Sequence, residues 1–346
     1  MLTRSRRLLA RILTAAVAIV AVVAGAHGQS GYTERAAEFA TDVSLAGDLL
    51  VPDGDGPHAC VLILPGRGCY DRSPRRPLAE LFAEAGIAAL IFDMRGTGES
   101  EGDCPSATFP MITGDAEAAL QWAAEQPEID AGRMGVLATS AGAWSAYALA
   151  DTSIEAEMRR SREGKTRPPL AFVITQIGPA TSIETQQRES AERYAEDLGL
   201  SPESAALVQR HIDIAIDPTI DKLTSFERFE AIRKVADEEG WFGDMFAPDD
   251  FPATADDVDS IFLRRFRYDP KRSLENLSQT SVLAIFGEDD SIVPVDSNTA
   301  ELKRATGVAG NDDVSIVVLP GVAHEVTDAF FEIAIEFLRE RGLLAE

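Results

Sequence analysis

The stretch "GVLATSAGAWSA", residues 135–146, decides how this chain is read. An apolar run from Met134 to Ala138 stops at Thr139-Ser140, and the small residues Ala141, Gly142 and Ala143 follow at once. A continuous apolar run reads as a strand buried on both faces of a parallel sheet. The small, helix-compatible run reads as the start of a helix. Ser140 therefore stands at a sharp strand-to-helix join walled by residues with almost no side chain. Such a join either presents a serine for chemistry or is a tight turn that needs small residues for packing alone.

The surroundings repeat the pattern. "ACVLILPG" (59–66), "IAALIFDMRG" (87–96), "MGVLATS" (134–140) and "LAFVITQIGP" (170–179) read as buried strands. Helical spacing fills the gaps at 77–86, 112–127 and 141–152. This alternation predicts a doubly covered parallel sheet with right-handed crossovers. Ahead of it, "AAEFATDVSLAGDLLVP" (36–52) alternates as two strands of a hairpin around Asp42.

The alternation lapses over residues 180–272, which are helical, polar and acidic. Aromatic residues punctuate them at Phe226, Phe229, "WFGDMF" (241–246), Phe251, Phe262 and Phe266. A structureless loop of that length is implausible inside a compact domain, so the interval reads as an inserted helical cap. Alternation resumes with "SVLAIFGEDD" (281–290), a helix at 297–307, "DVSIVVLPG" (313–321) and a terminal helix over 325–342. The core thus falls into two parts, 36–179 and 273–346, around the insertion.

Ligands in open α/β sheets bind beyond the carboxyl ends of the strands. Three loops reach that end carrying reactive side chains. The first holds Ser140, the second "GEDDSIVP" (287–294) holds Asp290, and the third "LPGVAHEV" (319–326) holds His324. A serine hydroxyl is a weak nucleophile until a base takes its proton, and that base needs a carboxylate to hold its tautomer. The chain order Ser, Asp, His is the one nucleophile-elbow enzymes use. Asp289 is the rival to Asp290, but its spacing to Val293-Pro294 is one residue short.

On these residues, and on "LPGRGCYDR", "FDMRGTGESEG", "IDAGRMGVLATSAG", "YDP", "GEDDSIVP" and "LPGVAH", the chain resembles the α/β-hydrolase superfamily. Within it, the chain is similar to bacterial exported esterases of the dienelactone-hydrolase-like and serine-aminopeptidase-like branch. The resemblance implies an α/β-hydrolase fold, a mostly parallel doubly covered sheet with an inserted helical cap. It departs from the family elbow GxSxG at one place, where Ala138 replaces the first glycine. It implies Ser140, Asp290 and His324 as catalytic residues, and oxyanion donors at the N–H groups of Ala141 and Arg67. Asp93, Arg95, Gly96 and Gly98 match the family pattern and read as locks on a strand-end loop. Arg67, Arg72, Arg75 and Arg76 read either as a solvated loop or as an attractor of carboxylate-bearing substrates. Trp241, Phe242, Met245 and Phe246 are the candidate acyl-side wall, with a core internal to the cap as the alternative.

In this fold the strands at 59–66 and 87–96 are neighbours, so Cys69 and Cys104 leave the same edge side by side. Adjacent strands lie about 4.8 Å apart and a disulfide needs Cα atoms roughly 4.4–6.8 Å apart, so a Cys69–Cys104 bridge is reachable. Cys60, inside its strand, reads as a free apolar thiol.

The bulk composition bounds the rest. Arg4, Arg6, Arg7 and Arg11 precede an apolar run that closes on "AGA" (24–26), so residues 1–26 read as a secretory signal peptide, with an uncleaved anchor as the alternative. Its removal takes the formal charge from −25 to −29. Such acidity argues against nucleic acid and anionic lipid as partners. Three cysteines make neither a disulfide scaffold nor a zinc site, and no Walker, HExxH or dinucleotide glycine pattern occurs. The expectation is a secreted or periplasmic serine esterase without metal or cofactor, acting on a small-molecule ester. A serine peptidase acting on short peptides and an idle binding protein on the same fold are the rivals.

Overall fold

The computed structural model describes residues 31–153, 156, 164 and 167–344. The expected signal peptide, residues 1–26, lies outside the described residues. One eight-stranded sheet runs through the molecule in the order β1-β2-β4-β3-β5-β6-β7-β8. Strands β1 (Tyr32–Ala40) and β2 (Ser44–Pro52) form an antiparallel hairpin. Beyond it, β3 (His58–Leu64), β4 (Ala88–Phe92), β5 (Ile129–Thr139), β6 (Phe172–Gln176), β7 (Ser281–Gly287) and β8 (Val314–Leu319) pair in parallel.

Every residue of β3, β4 and β6 is buried, which is why these segments read as unbroken apolar runs. Successive side chains point to opposite faces. Cys60, Leu62 and Leu64 meet the layer of α2 (Phe109–Ala124), α3 (Gly142–Ala150) and α10 (Val295–Ala309). Val61 and Ile63 meet α1 (Arg76–Glu84) and α11 (Asp328–Glu340) on the other face. The residues β8 presents to solvent, such as Val318, mark one sheet edge.

Two boundaries differ from the sequence reading for local reasons. β5 starts at Ile129, five residues ahead of the apolar run, and the register with β3 shifts between His58 and Cys60 to accommodate "DAGR". Helix α2 starts at Phe109 because Thr108 is extended and Pro110 sits in the first turn, where its missing N–H costs nothing. His58 is the buried first residue of β3.

Between β6 and β7 lie α4 (Ile183–Asp197), α5 (Pro202–Ile216) and α6 (Lys222–Glu239), then the single turns α7 (Phe242–Met245), α8 (Phe262–Arg265) and α9 (Lys271–Leu274). Ser182, Ser201 and Asp221 cap the three long helices by accepting from Thr185, Ser204 and Thr224 N–H. Val208, Ile212, Phe229, Ile232 and Phe262 form their shared core, which continues onto Phe109 and Trp144 below. Trp144 Nε1 donates to the Thr181 carbonyl at 2.9 Å. Among the described residues no helix is long and apolar enough to cross a membrane.

The sulfurs of Cys69 and Cys104 are bonded, with Cα atoms 5.9 Å apart, joining the loops after β3 and β4. Cys60 is free and buried, and burial pushes its thiol up to about 12. Closing a loop of this separation removes unfolded-chain entropy equivalent to about 3–4 kcal/mol. The Cys69→Ser/Cys104→Ser pair is therefore expected to lower unfolding free energy by about that amount in urea titrations. An unchanged midpoint would show the bridge to be dispensable.

Candidate active site

Ser140 directly follows β5 with φ +50°, a conformation that residues with a Cβ, asparagine and aspartate aside, seldom adopt. Its N–H donates to the Gln176 carbonyl and its carbonyl accepts from Ala143 N–H, both at 2.9 Å. Strain of this kind persists only where the surroundings over-determine it. Here the surroundings are backbone. A Cβ on Gly142 would lie 2.4 Å from the Pro65 carbonyl oxygen, and one on Gly66 would lie 3.1 Å from Ser140 Cβ. Gly178 closes the third side, since a Cβ there would meet Ala143 Cβ at 2.6 Å. Ala138, at the first elbow position, is fully buried and its methyl joins the core cluster under the sheet.

The three loops converge. Ser140 Oγ is 2.9 Å from His324 Nε2, and His324 Nδ1 is 2.8 Å from Asp290 Oδ2. Asp290 Oδ1 accepts from the N–H groups of Ile292 and Val293 at 2.9 and 2.8 Å, so both carboxylate oxygens are engaged. With Nδ1–H donating to the carboxylate, Nε2 is left to accept from the serine hydroxyl. Asp290 is 1% exposed, whereas Asp289 faces solvent. A glycine that sequence reading passed over sets the approach of the last two loops. A Cβ on Gly287 would lie 2.3 Å from the Val322 carbonyl oxygen, so only glycine lets the Asp290 loop run against the His324 loop.

Arg67 and Ala141, with Gly66 and Gly142, line one cavity of about 80 Å³ beside Ser140. The Arg67 guanidinium does not face open solvent. It pairs with Asp249 at 2.6 Å and Asp250 at 2.7 Å, and lies 4.0 Å from the Phe262 ring centre. The other arginines of this group are also committed. Arg72 pairs with Asp48, Asp93 and Glu99, and Arg76 with Glu34 and Asp48. Arg75 is buried, donates to the Phe92 carbonyl at 2.7 Å, and is pushed down to about 10 by desolvation. Neither the solvated-loop reading nor the carboxylate-attractor reading of this cluster holds, because neighbouring acids use its charges internally.

The strand-end lock is present as expected. Asp93 accepts from the N–H groups of Arg72 and Glu99 at 2.6 and 2.8 Å. Gly98, at φ +51°, has no room for a Cβ against that carboxylate. Arg95 is buried against Asp115, with bonds of 2.7 and 2.8 Å.

Trp241, Phe242, Met245 and Phe246 do not line the cavity. They turn into the cap, where Phe242 and Phe246 pack on Phe251 at 4.9 and 4.8 Å between ring centres, and Trp241 is buried. Their packing is that of a core internal to the cap, the alternative reading of these four. The cap's contribution to the cavity comes from Asp249, Phe262, Arg265 and Phe266. Phe262 and Phe266 carry the same aromatic signal in the sequence, but nothing local tells which cluster faces inward.

The chain has the α/β-hydrolase fold. It aligns over 92% of its length with 96% of an esterase of Pyrococcus furiosus (TM-score 0.57, 17% identity). It aligns over 91% of its length with 86% of acetyl xylan esterase 1 of Thermoanaerobacterium (TM-score 0.52, 17% identity). The profile of the X-Pro dipeptidyl-peptidase (S15) family matches residues 28–157. Among curated proteins, an uncharacterized 31.7 kDa protein of Escherichia coli is 36% identical over 101 residues, 29% of this chain and 35% of that one. An uncharacterized protein of Mycobacterium tuberculosis is 34% identical over 130 residues, 38% of each chain. The match spans little more than a third of these curated relatives.

His211, from α5, is buried among Phe229, Phe246 and Phe251, and its Nε2 meets the Asp250 carbonyl at 2.8 Å. Burial holds it below the ordinary histidine value. The unfolded chain therefore binds a proton below about pH 6.5 that the folded cap refuses. Stability should be fully present above that pH and fall as pH drops toward the folded value, by up to about 1.4 kcal/mol per pH unit. In His211→Gln this part of the slope disappears between pH 7 and 5. Equal slopes in the two proteins would contradict the assignment.

Proposed function

We propose that this chain is an exported serine hydrolase that cleaves carboxylic esters through an acyl-enzyme. One observation carries the reading: an unbroken hydrogen-bonded series from Ser140 Oγ through His324 to buried Asp290, seated on a strained elbow. In the first half, Ser140 Oγ bonds to the acyl carbon while His324 Nε2 takes its proton. The ester C–O bond then breaks and His324 returns that proton to the leaving alkoxide. In the second half, water repeats the sequence and restores the serine. Asp290 holds the imidazole's tautomer and steadies its charged form. The backbone N–H groups of Ala141 and Arg67 receive the developing oxyanion, each worth about a hundred- to a thousandfold in rate.

The esterases among its structural neighbours favour an ester substrate. Export is supported by the disulfide, a bond that persists in oxidising compartments, together with the basic-apolar start of the sequence. The match to the S15 family favours a peptidase as the second reading. A peptidase that trims dipeptides from an amino terminus needs carboxylates for the substrate's ammonium. Asp249, the cap acid that lines the cavity, and its neighbour Asp250 are occupied by Arg67, which favours the ester.

Ser140→Ala is expected to lower ester turnover by about 10⁶, and Asp290→Asn by about 10⁴, whereas Asp289→Asn stays within a few-fold. p-Nitrophenyl esters assayed beside aminoacyl-anilides check this and separate the two readings. Full activity in Ser140→Ala would end the mechanism, and anilide turnover exceeding ester turnover would select the peptidase.

A further inference from the structure

We propose that the cavity beside the oxyanion donors is an acyl pocket, and that it selects short, unbranched acyl groups of about two to four carbons. The proposal rests on the esterase reading above and adds to it the substrate class.

The cavity's position assigns the half of the ester. Gly66, Arg67, Ala141 and Gly142 line the cavity, and Gly66 is packed against Ser140. A carbonyl oxygen held by the two donors thus leaves one substituent beside this lining. The leaving alcohol must lie within reach of His324 Nε2, which returns its proton. No residue of the His324 loop or the Asp290 loop lines the cavity. The substituent that enters is therefore the acyl chain, and the alcohol faces the histidine side.

The walls set the length. Phe92, Met94, Ile112 and Ala116 come from the core, and Phe262 and Phe266 from the cap. This lining rewards burial of methylenes. Arg95 and Asp115, a buried ion pair bonded twice at 2.7 and 2.8 Å, also line the cavity. A longer chain would have to press its apolar end on that pair, whose polar atoms need their present partners. The volume, about 80 Å³, is roughly half that of a cavity that takes benzene, which leaves room for about three carbons.

The roof is not free to swing away. Arg67, on the oxyanion loop, stacks on Phe262 while Asp249 and Asp250 hold its guanidinium. Arg265 donates to the Ala107 carbonyl at 2.7 Å, fastening the same cap segment to the loop ahead of α2. The Cys69–Cys104 bond joins the two loops that bear Gly68 and Met94. Ion pairs, a cation–ring contact and a covalent bond thus limit expansion.

The test is kcat/KM for p-nitrophenyl esters from acetate to decanoate with the wild-type chain, Ile112→Phe and Ile112→Ala. Ile112 is half-buried, so both variants are expected to fold, and thermal melting reports it. Burial of each added methylene should raise the wild-type value by about fourfold up to the limit of the pocket. From there to octanoate it should fall at least tenfold. Ile112→Phe should cut the butyrate-to-acetate ratio at least tenfold, and Ile112→Ala should move the optimum one or two carbons longer. If Ile112→Phe does not fold, the Ile112→Ala shift decides alone. A wild-type optimum at octanoate or beyond, or ratios unmoved in the folded variants, overturns the acyl pocket while leaving the esterase reading in place. No turnover of any ester overturns the esterase reading itself, and the pocket with it.

Discussion

The approach of two backbones, the Pro65 carbonyl against Gly142, is the constraint on which the site depends. A Cβ at Gly142 would sit 2.4 Å from that oxygen. Because the loop after β3 runs so close over the start of α3, Ser140 is held at φ +50° with its side chain raised toward His324. The same approach brings Gly66 and Arg67 alongside Ala141, which defines both the proposed oxyanion donors and part of the cavity lining. One packing contact thus determines the direction of the nucleophile and the location of the acyl pocket proposed for it.

Around that contact the loops are tied by charge as much as by apolar packing. Arg72 gathers Asp48, Asp93 and Glu99, Arg95 gathers Asp42 and Asp115, and Arg67 joins the oxyanion loop to the cap through Asp249 and Asp250. Breaking one partner of a buried pair leaves an uncompensated charge, so such networks favour a single loop arrangement over alternatives. In a chain with formal charge −25, the arginines nearest the site are thereby spent on architecture. A strongly acidic surface surrounds a pocket whose own charges are internally balanced.

The parallel sheet and the three converging loops were legible because each signal is local. A strand buried on both faces must be apolar throughout, and the residues just past its carboxyl end fall into the site. Ser140, Asp290 and His324 could therefore be named from their places after β5, β7 and β8. Gly287 and Gly178 were not, since each is demanded by a segment distant in sequence, Val322 in the one case and Ala143 in the other. The cap's inner face was not legible for a related reason. "WFGDMF" and the pair Phe262 and Phe266 are equally aromatic and join one cap core, and only the packing shows that Phe262 and Phe266 also reach the cavity. The arginine cluster failed in the same way: its composition shows positive charge, but not that Asp48 and Asp93 arrive from other strands to neutralise it.

The central claim is that Ser140 is an activated nucleophile, and covalent capture tests it most directly. The folded mature protein, treated with a fluorophosphonate that requires an activated serine, is analysed by intact mass and then by peptide mapping. The account predicts one adduct per chain, located on Ser140. No adduct on the folded protein, or an adduct on any other serine, would contradict it.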